Sequence, residues 1–256
     1  FKGNAGFDAA FSMYCFDRDL RIFILKELEK IEVAFRSQLI YQISHYRGCF
    51  WFTDSTLFSD SAEHSTSLNK LNNEFRRSDE EFILAFKNTY SDPLPPSWMM
   101  LEIASFGNIS KLYQNLKPGR TKRSLAKYFG LDDNTFSSWV HCFVYIRNVC
   151  AHHSRLWNRG MSIRPSVPIN PDKTWLNDTS VSNNRTYFIL SMLLYLLQSI
   201  HQSHQFVFRF NVLLKKYPNI YVAAMGLPPD WRKEPLWIYK PSFKQRCRLF
   251  VAKYLR

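Results

Sequence analysis

No two of the five cysteines in this 256-residue chain form a CxxC pair; at positions 15, 49, 142, 150 and 247 they are odd in number and scattered. That spacing argues against a disulfide framework and against a zinc ribbon, and it points to a reducing compartment. Long apolar runs are lacking too. The strongest candidate, Tyr187 to Ile200, falls short of the roughly 20 apolar residues a spanning helix needs, so it reads as a buried core helix and no membrane association is expected. No run of alternating residues announces a sheet and no internal repeat is visible, which leaves an all-α class. A methionine start is also missing, since the numbering opens at Phe1. The expectation is a chain without its native beginning.

Carboxylates are scarce. Twenty-one Asp and Glu stand against 34 Lys and Arg, for a net charge of +13 and a pI near 9.6, a field that attracts polyanions such as nucleic acid or anionic membrane. From Asn134 to Pro171 there is no carboxylate side chain at all. Within that stretch runs Arg147-Asn148-Val149-Cys150-Ala151-His152-His153-Ser154-Arg155-Leu156-Trp157-Asn158-Arg159, with three arginines, two histidines and two asparagines. What the chain has in quantity is apolar surface: 46% hydrophobic and 16% aromatic residues, ample for a core.

The apolar spacing predicts a long helix over Asp19 to Tyr46, stopped at Gly48, with further helices within Thr53 to Asn73 and over Glu80 to Tyr90. Prolines 93, 95 and 96 interrupt the pattern. Beyond them, Ser97 to Phe106 and Ile109 to Leu116 read as two short helices separated by Gly107, and Thr121 to Phe129 as a basic helix closed at Gly130. Asp132 or Asp133 caps a helix that carries Phe136, Trp139, Val140 and Phe143 towards the basic run. A loop with Gly160 and prolines 165, 168 and 171 leads to helices over Arg185 to Gln202 and Phe206 to Tyr217. The tail, with Pro228, Pro229, Pro235 and Pro241 around Trp231 and Trp237, reads as an irregular segment pinned by aromatics, then a basic helix over Ser242 to Tyr254.

In a regular helix Asn148 and His152 share a face, whereas Arg147 points roughly 140° away from His152. A second copy of the segment would supply the missing half of a composite site. Arg147 offers a planar fork of donors to a phosphate, and an imidazole titrating near neutrality can move a proton on a sugar hydroxyl or a leaving oxygen. Those groups suit RNA cleavage by the 2′-hydroxyl without a metal. Arg155 and Arg159 extend the positive track, and Trp157 offers a ring on which a base can stack. The structural alternative is that Arg147, Asn148 and a histidine complement a helix end while Leu156 and Trp157 join the core. Metal binding through His141, Cys150, His152 and His153 fits no regular zinc spacing.

The segment 147–159 resembles the signature of the Abi family, the AbiD and AbiF type abortive infection proteins of bacteria. Three further blocks carry the likeness. Phe16-Asp17-Arg18-Asp19-Leu20-Arg21 with 29–36 is similar to the family's first helix, 96–102 with 105–110 to its middle block, and Met225-Gly226-Leu227-Pro228 with Trp231 and Leu236-Trp237 to its closing block. The resemblance implies one HEPN-like helical domain over 1–256, with additional helices and an earlier family segment absent. It implies a cytoplasmic, metal-independent endoribonuclease of phage defence, without cofactor, in which a homodimer joins two R-N-x-x-x-H motifs. Arg147, Asn148 and His152 would be catalytic, and His153, Arg155, Trp157, Asn158 and Arg159 would hold RNA. Association with a small noncoding RNA follows by analogy with RNA-guided relatives. A non-catalytic RNA-binding or protein-interaction module of a defence or toxin–antitoxin system is the competing reading.

Overall fold

Leu20, Ile24, Leu28, Ile31, Phe35, Leu39 and Ile43 recur every three or four residues, and all seven are at most 2% exposed on one long helix, α1 (Phe7–Arg47). The computed structural model describes residues 6–201 and 204–238. In it α1 begins well before Asp19, where the apolar recurrence starts. Of the added turns, Phe7 to Tyr14 are mostly solvent-facing while Phe16 and Asp17 are buried; the rings of Phe7 and Phe11, four residues apart, stack at 5.9 Å, a spacing that supports an exposed helix.

Eight more helices follow among the described residues: α2 (Ser61–Arg77), α3 (Glu81–Thr89), α4 (Ser97–Ile103), α5 (Phe106–Asn115), α6 (Arg120–Tyr128), α7 (Asp133–Ala151), α8 (Thr186–Ile200) and α9 (Phe206–Lys216). No strand forms among the described residues, where one isolated bridge joins Phe58 to Leu116. The architecture is an all-α bundle, and among the described residues no helix is long and apolar enough to cross a membrane. Side-chain caps fix several starts. Asp60 accepts from the backbone of Ala62 and Glu63, Asp132 from Thr135, and Ser105 from Asn108. The Ser105 cap starts α5 at Phe106, so Gly107 lies inside that helix and does not separate it from α4. The helix expected over Ser242 to Tyr254 lies outside the described residues.

The chain divides into two compact units, one of 1–27, 149–162 and 173–256, the other of 28–148 and 163–172. The core of the second is aromatic: the ring of Phe35 meets Phe106, Tyr113 and Phe136 edge-on, and Phe129 stacks on Phe136 at 4.6 Å. Such pairs add to the burial of apolar area. Its loop 163–172 is tied down where Trp139 Nε1 donates to the Ser166 carbonyl at 2.8 Å and Asp172 N to the Gly130 carbonyl at 3.0 Å.

In the first unit α8 is buried on all sides from Thr186 to Leu197. The Pro- and Trp-containing tail packs there as short 3₁₀ turns at Val222–Met225, Trp231–Lys233 and Pro235–Trp237. Trp237 stacks on Tyr187 at 5.4 Å and donates to Ser191 Oγ at 3.0 Å. On α1, Asp19 accepts from Lys216 Nζ and Tyr217 Oη, both at 2.7 Å, and from Arg18 at 3.1 Å. Burial pushes this carboxyl upward, but the three donors outweigh it and hold Asp19 at about 2. A depressed carboxylate contributes stability above its unfolded value and loses it as pH falls through the folded one. Asp19→Asn is therefore expected to flatten the loss of stability between about pH 4 and about pH 2, read from urea unfolding midpoints across that range.

Candidate functional site

On α7 the residues Phe136, Trp139, Val140, Phe143, Ile146, Val149 and Cys150 are buried, and this periodicity leaves Arg147 and Asn148 facing solvent in the last turns. The helix stops at Ala151. The Ser154 amide donates to the Val149 carbonyl at 3.0 Å and the His153 amide to the Cys150 carbonyl at 3.2 Å, the paired bonds of a left-handed helix terminus. His153 stands at the left-handed position with φ 56°, alone among described non-glycine residues in having positive φ. Glycine usually fills that place, and an L side chain there costs about 1 kcal/mol or more. The regular helical geometry read from the sequence through His152 thus ends one residue early. His152 is the capping residue, exposed, and the backbone reverses at His153.

Beyond the cap the segment, which lies in a stretch without carboxylates, is held by one from α1. Asp17 Oδ1 accepts from the amides of Leu156 at 2.9 Å and Trp157 at 2.7 Å. Its other oxygen pairs with Arg21, which also donates to the Ser154 carbonyl at 3.4 Å. The two side chains are 7% and 6% exposed. Leu156 is fully buried, and the hydroxyl of buried Thr186 donates to its carbonyl at 3.0 Å. Arg185 reaches Asn158 Oδ1 at 3.1 Å and the Ala224 carbonyl at 2.6 Å. Gly226, at φ +85°, makes room for this: a Cβ there would lie 2.7 Å from Arg185 Cβ.

Of the residues singled out from sequence, Arg147, Asn148, His152, His153, Arg155 and Asn158 are exposed, while Trp157 and Arg159 are half-buried. Arg155 and Arg159 lie past the helix, with Arg159 Nη1 3.5 Å from the Arg155 carbonyl. Arg147 has an acidic neighbour on α1: burial raises the Glu32 carboxyl, and the charges of Arg36 and Arg147 act against that rise. Burial pushes the Cys150 thiol up to about 12, so it stays protonated at neutral pH. Among the described residues no group of three or more His, Cys, Asp or Glu is arranged to hold a metal ion. Sequence reasoning missed Asp17, Arg21, Arg185 and Thr186. The available signal was Asp17 and Arg21 themselves, opposite charges four apart on an apolar helix face.

A family model described as Abi-like protein matches residues 1–158, from the start of the chain to Asn158 in the loop after α7. No curated protein and no solved structure gives a significant match.

Breaking a buried pair strands a charge and, here, two amides. Asp17→Ala should cost about 3–5 kcal/mol in urea unfolding, whereas His153→Gly should be neutral or stabilising by up to about 1 kcal/mol. A loss of stability in His153→Gly would contradict the strained cap.

Proposed function

Because the chain belongs to the Abi-like protein family, which ties it to abortive infection, we propose that it is a metal-independent HEPN-type endoribonuclease of bacterial phage defence. The observation that carries the reading is the exposure of Arg147, Asn148 and His152 at the end of a helix whose neighbouring residues are buried. A strained, non-glycine cap directly beside them supports it, because such strain collects at working sites.

In this reading Arg147 binds the scissile phosphate bidentately and stabilises the charge that develops on its oxygens. One imidazole takes the proton of the ribose 2′-hydroxyl as O2′ forms its bond to phosphorus. The bond from phosphorus to the 5′ oxygen breaks, and that oxygen receives a proton from the conjugate acid of a second base. The products are a 2′,3′-cyclic phosphate and a 5′-hydroxyl. His152 is the base or acid that the motif spacing selects, and Asn148 orients the imidazole or a phosphate oxygen. Two such imidazoles come from two copies of the chain, so the active form is a homodimer. His153, Arg155, Trp157, Asn158 and Arg159 line the RNA path. A small noncoding RNA is the partner expected to control the activity, in a toxin–antitoxin arrangement in the cytoplasm.

Purified protein incubated with RNA in EDTA is expected to yield fragments ending in 2′,3′-cyclic phosphate. His152→Ala should lower the rate on the order of 10²–10⁴-fold. Cleavage that requires a divalent metal, or that persists in His152→Ala, would overturn the mechanism, and RNA binding without cleavage would leave a binding module.

A further inference from the structure

A second basic feature stands apart in sequence from the 147–159 run, and the reading above does not use it. Between the end of α1 and the start of α6, in the second unit, lies a cleft of about 300 Å³ whose lining includes Arg47, Lys117, Arg120, Lys122 and the hydroxyl residues Thr56 and Thr121. No carboxylate lines it. Lys122 has a structural task, donating to the carbonyls of Gln114 at 2.7 Å and Leu116 at 3.0 Å at the end of α5. Arg47, Lys117 and Arg120 are exposed and, among the described residues, take part in no ion pair. The nearby Asp54 carboxylate is already engaged by the Thr56 amide at 2.9 Å and its hydroxyl at 2.6 Å. Asp54 also feels the charge of Arg47, so one carboxylate beside the cleft stands against three cations converging on its lining; the surplus repels itself, and an incoming polyanion relieves that repulsion.

Aromatic rings adjoin these cations. The Arg120 guanidinium lies over the ring of Tyr46 at 5.8 Å, and Tyr46 is 52% exposed. His45 meets Tyr46 edge-on at 5.0 Å and stacks with Tyr41, itself 64% exposed, at 6.2 Å. Exposed rings interleaved with unpaired cations are the means by which proteins hold single-stranded nucleic acid, the rings stacking on bases and the cations tracking the backbone. A free anion would use the cations and leave the rings idle.

We infer that the cleft of Arg47, Lys117 and Arg120, with Tyr41 and Tyr46 beside it, is a binding surface for single-stranded RNA. It takes phosphodiesters in the cleft and bases on the rings. The assignment rests on the reading that RNA is this protein's ligand, but it does not require that the protein cut RNA.

The test measures fluorescence anisotropy of a labelled single-stranded RNA against salt concentration, using His152→Ala protein so that cleavage does not interfere. Each phosphate contact on a single strand contributes a slope of about 0.7 in log K against log salt. The triple variant Arg47→Gln, Lys117→Gln, Arg120→Gln should therefore lose about 2 units of slope and bind at least tenfold more weakly at low salt. A control of equal charge, Lys26→Gln, Lys70→Gln, Lys215→Gln, takes exposed cations from elsewhere and should retain the slope. Tyr46→Ala should weaken binding without changing it. Equal losses in the two triple variants would reduce the effect to the overall field and overturn the assignment. So would unchanged RNA binding in the cleft variant, or displacement of RNA by pyrophosphate with no effect of Tyr46→Ala. Thermal melts of each variant check folding. Loss of binding in the cleft variant alongside absent cleavage by the wild type would retain the surface and discard the nuclease.

Discussion

The carboxylate of Asp17 is the constraint on which the segment after α7 depends. One buried side chain accepts two backbone amides and a guanidinium, so its charge is compensated by directed donors and its burial does not leave it stranded. The same contacts fix the path of the chain. With the amides of Leu156 and Trp157 held from α1, Leu156 is seated in the core and its carbonyl meets Thr186. The reversal at His153 then has a defined destination, and the cap keeps a geometry that an L residue would otherwise avoid.

Much of this could be read from the sequence, for a physical reason particular to each part. The middle of α1 was legible because one face is uniformly apolar, and α8 because its residues are apolar all round. Ends were harder. The start of α1 at Phe7 rests on an exposed aromatic pair, which carries no amphipathic signal, and α5 begins ahead of Gly107 because the Ser105 hydroxyl satisfies its first turn. The stop at Ala151 had no glycine to announce it, only a histidine doing what glycine does more cheaply. The polar members of the candidate site stood out because no carboxylate interrupts them over Asn134 to Pro171. That same absence hid the tether, since the acid that completes the segment is 139 residues away in the chain.

The acids that burial does remove from solvent are spent on specific partners. Asp17 is paired with Arg21 and Glu27 with Arg209, both within the first unit, and Asp19 is held by Lys216 and Tyr217. These pairs cancel locally, so the surplus of +13 is expressed by cations elsewhere. In the second unit the cleft at the start of α6 has cations and no carboxylate in its lining. Net charge by itself speaks to attraction at long range; where the acids are consumed decides which surfaces keep a field of their own.

The adjacent imidazoles of His152 and His153 look equivalent in sequence, yet the backbone treats them differently. His152 occupies the cap and inherits the direction of a helix whose exposed side carries Arg147 and Asn148. His153 is the residue at which the backbone reverses, at φ 56°. Conformational strain falls on the second histidine and continuity with the helix on the first. The Asp17 tether holds this arrangement by fixing the chain three residues further on.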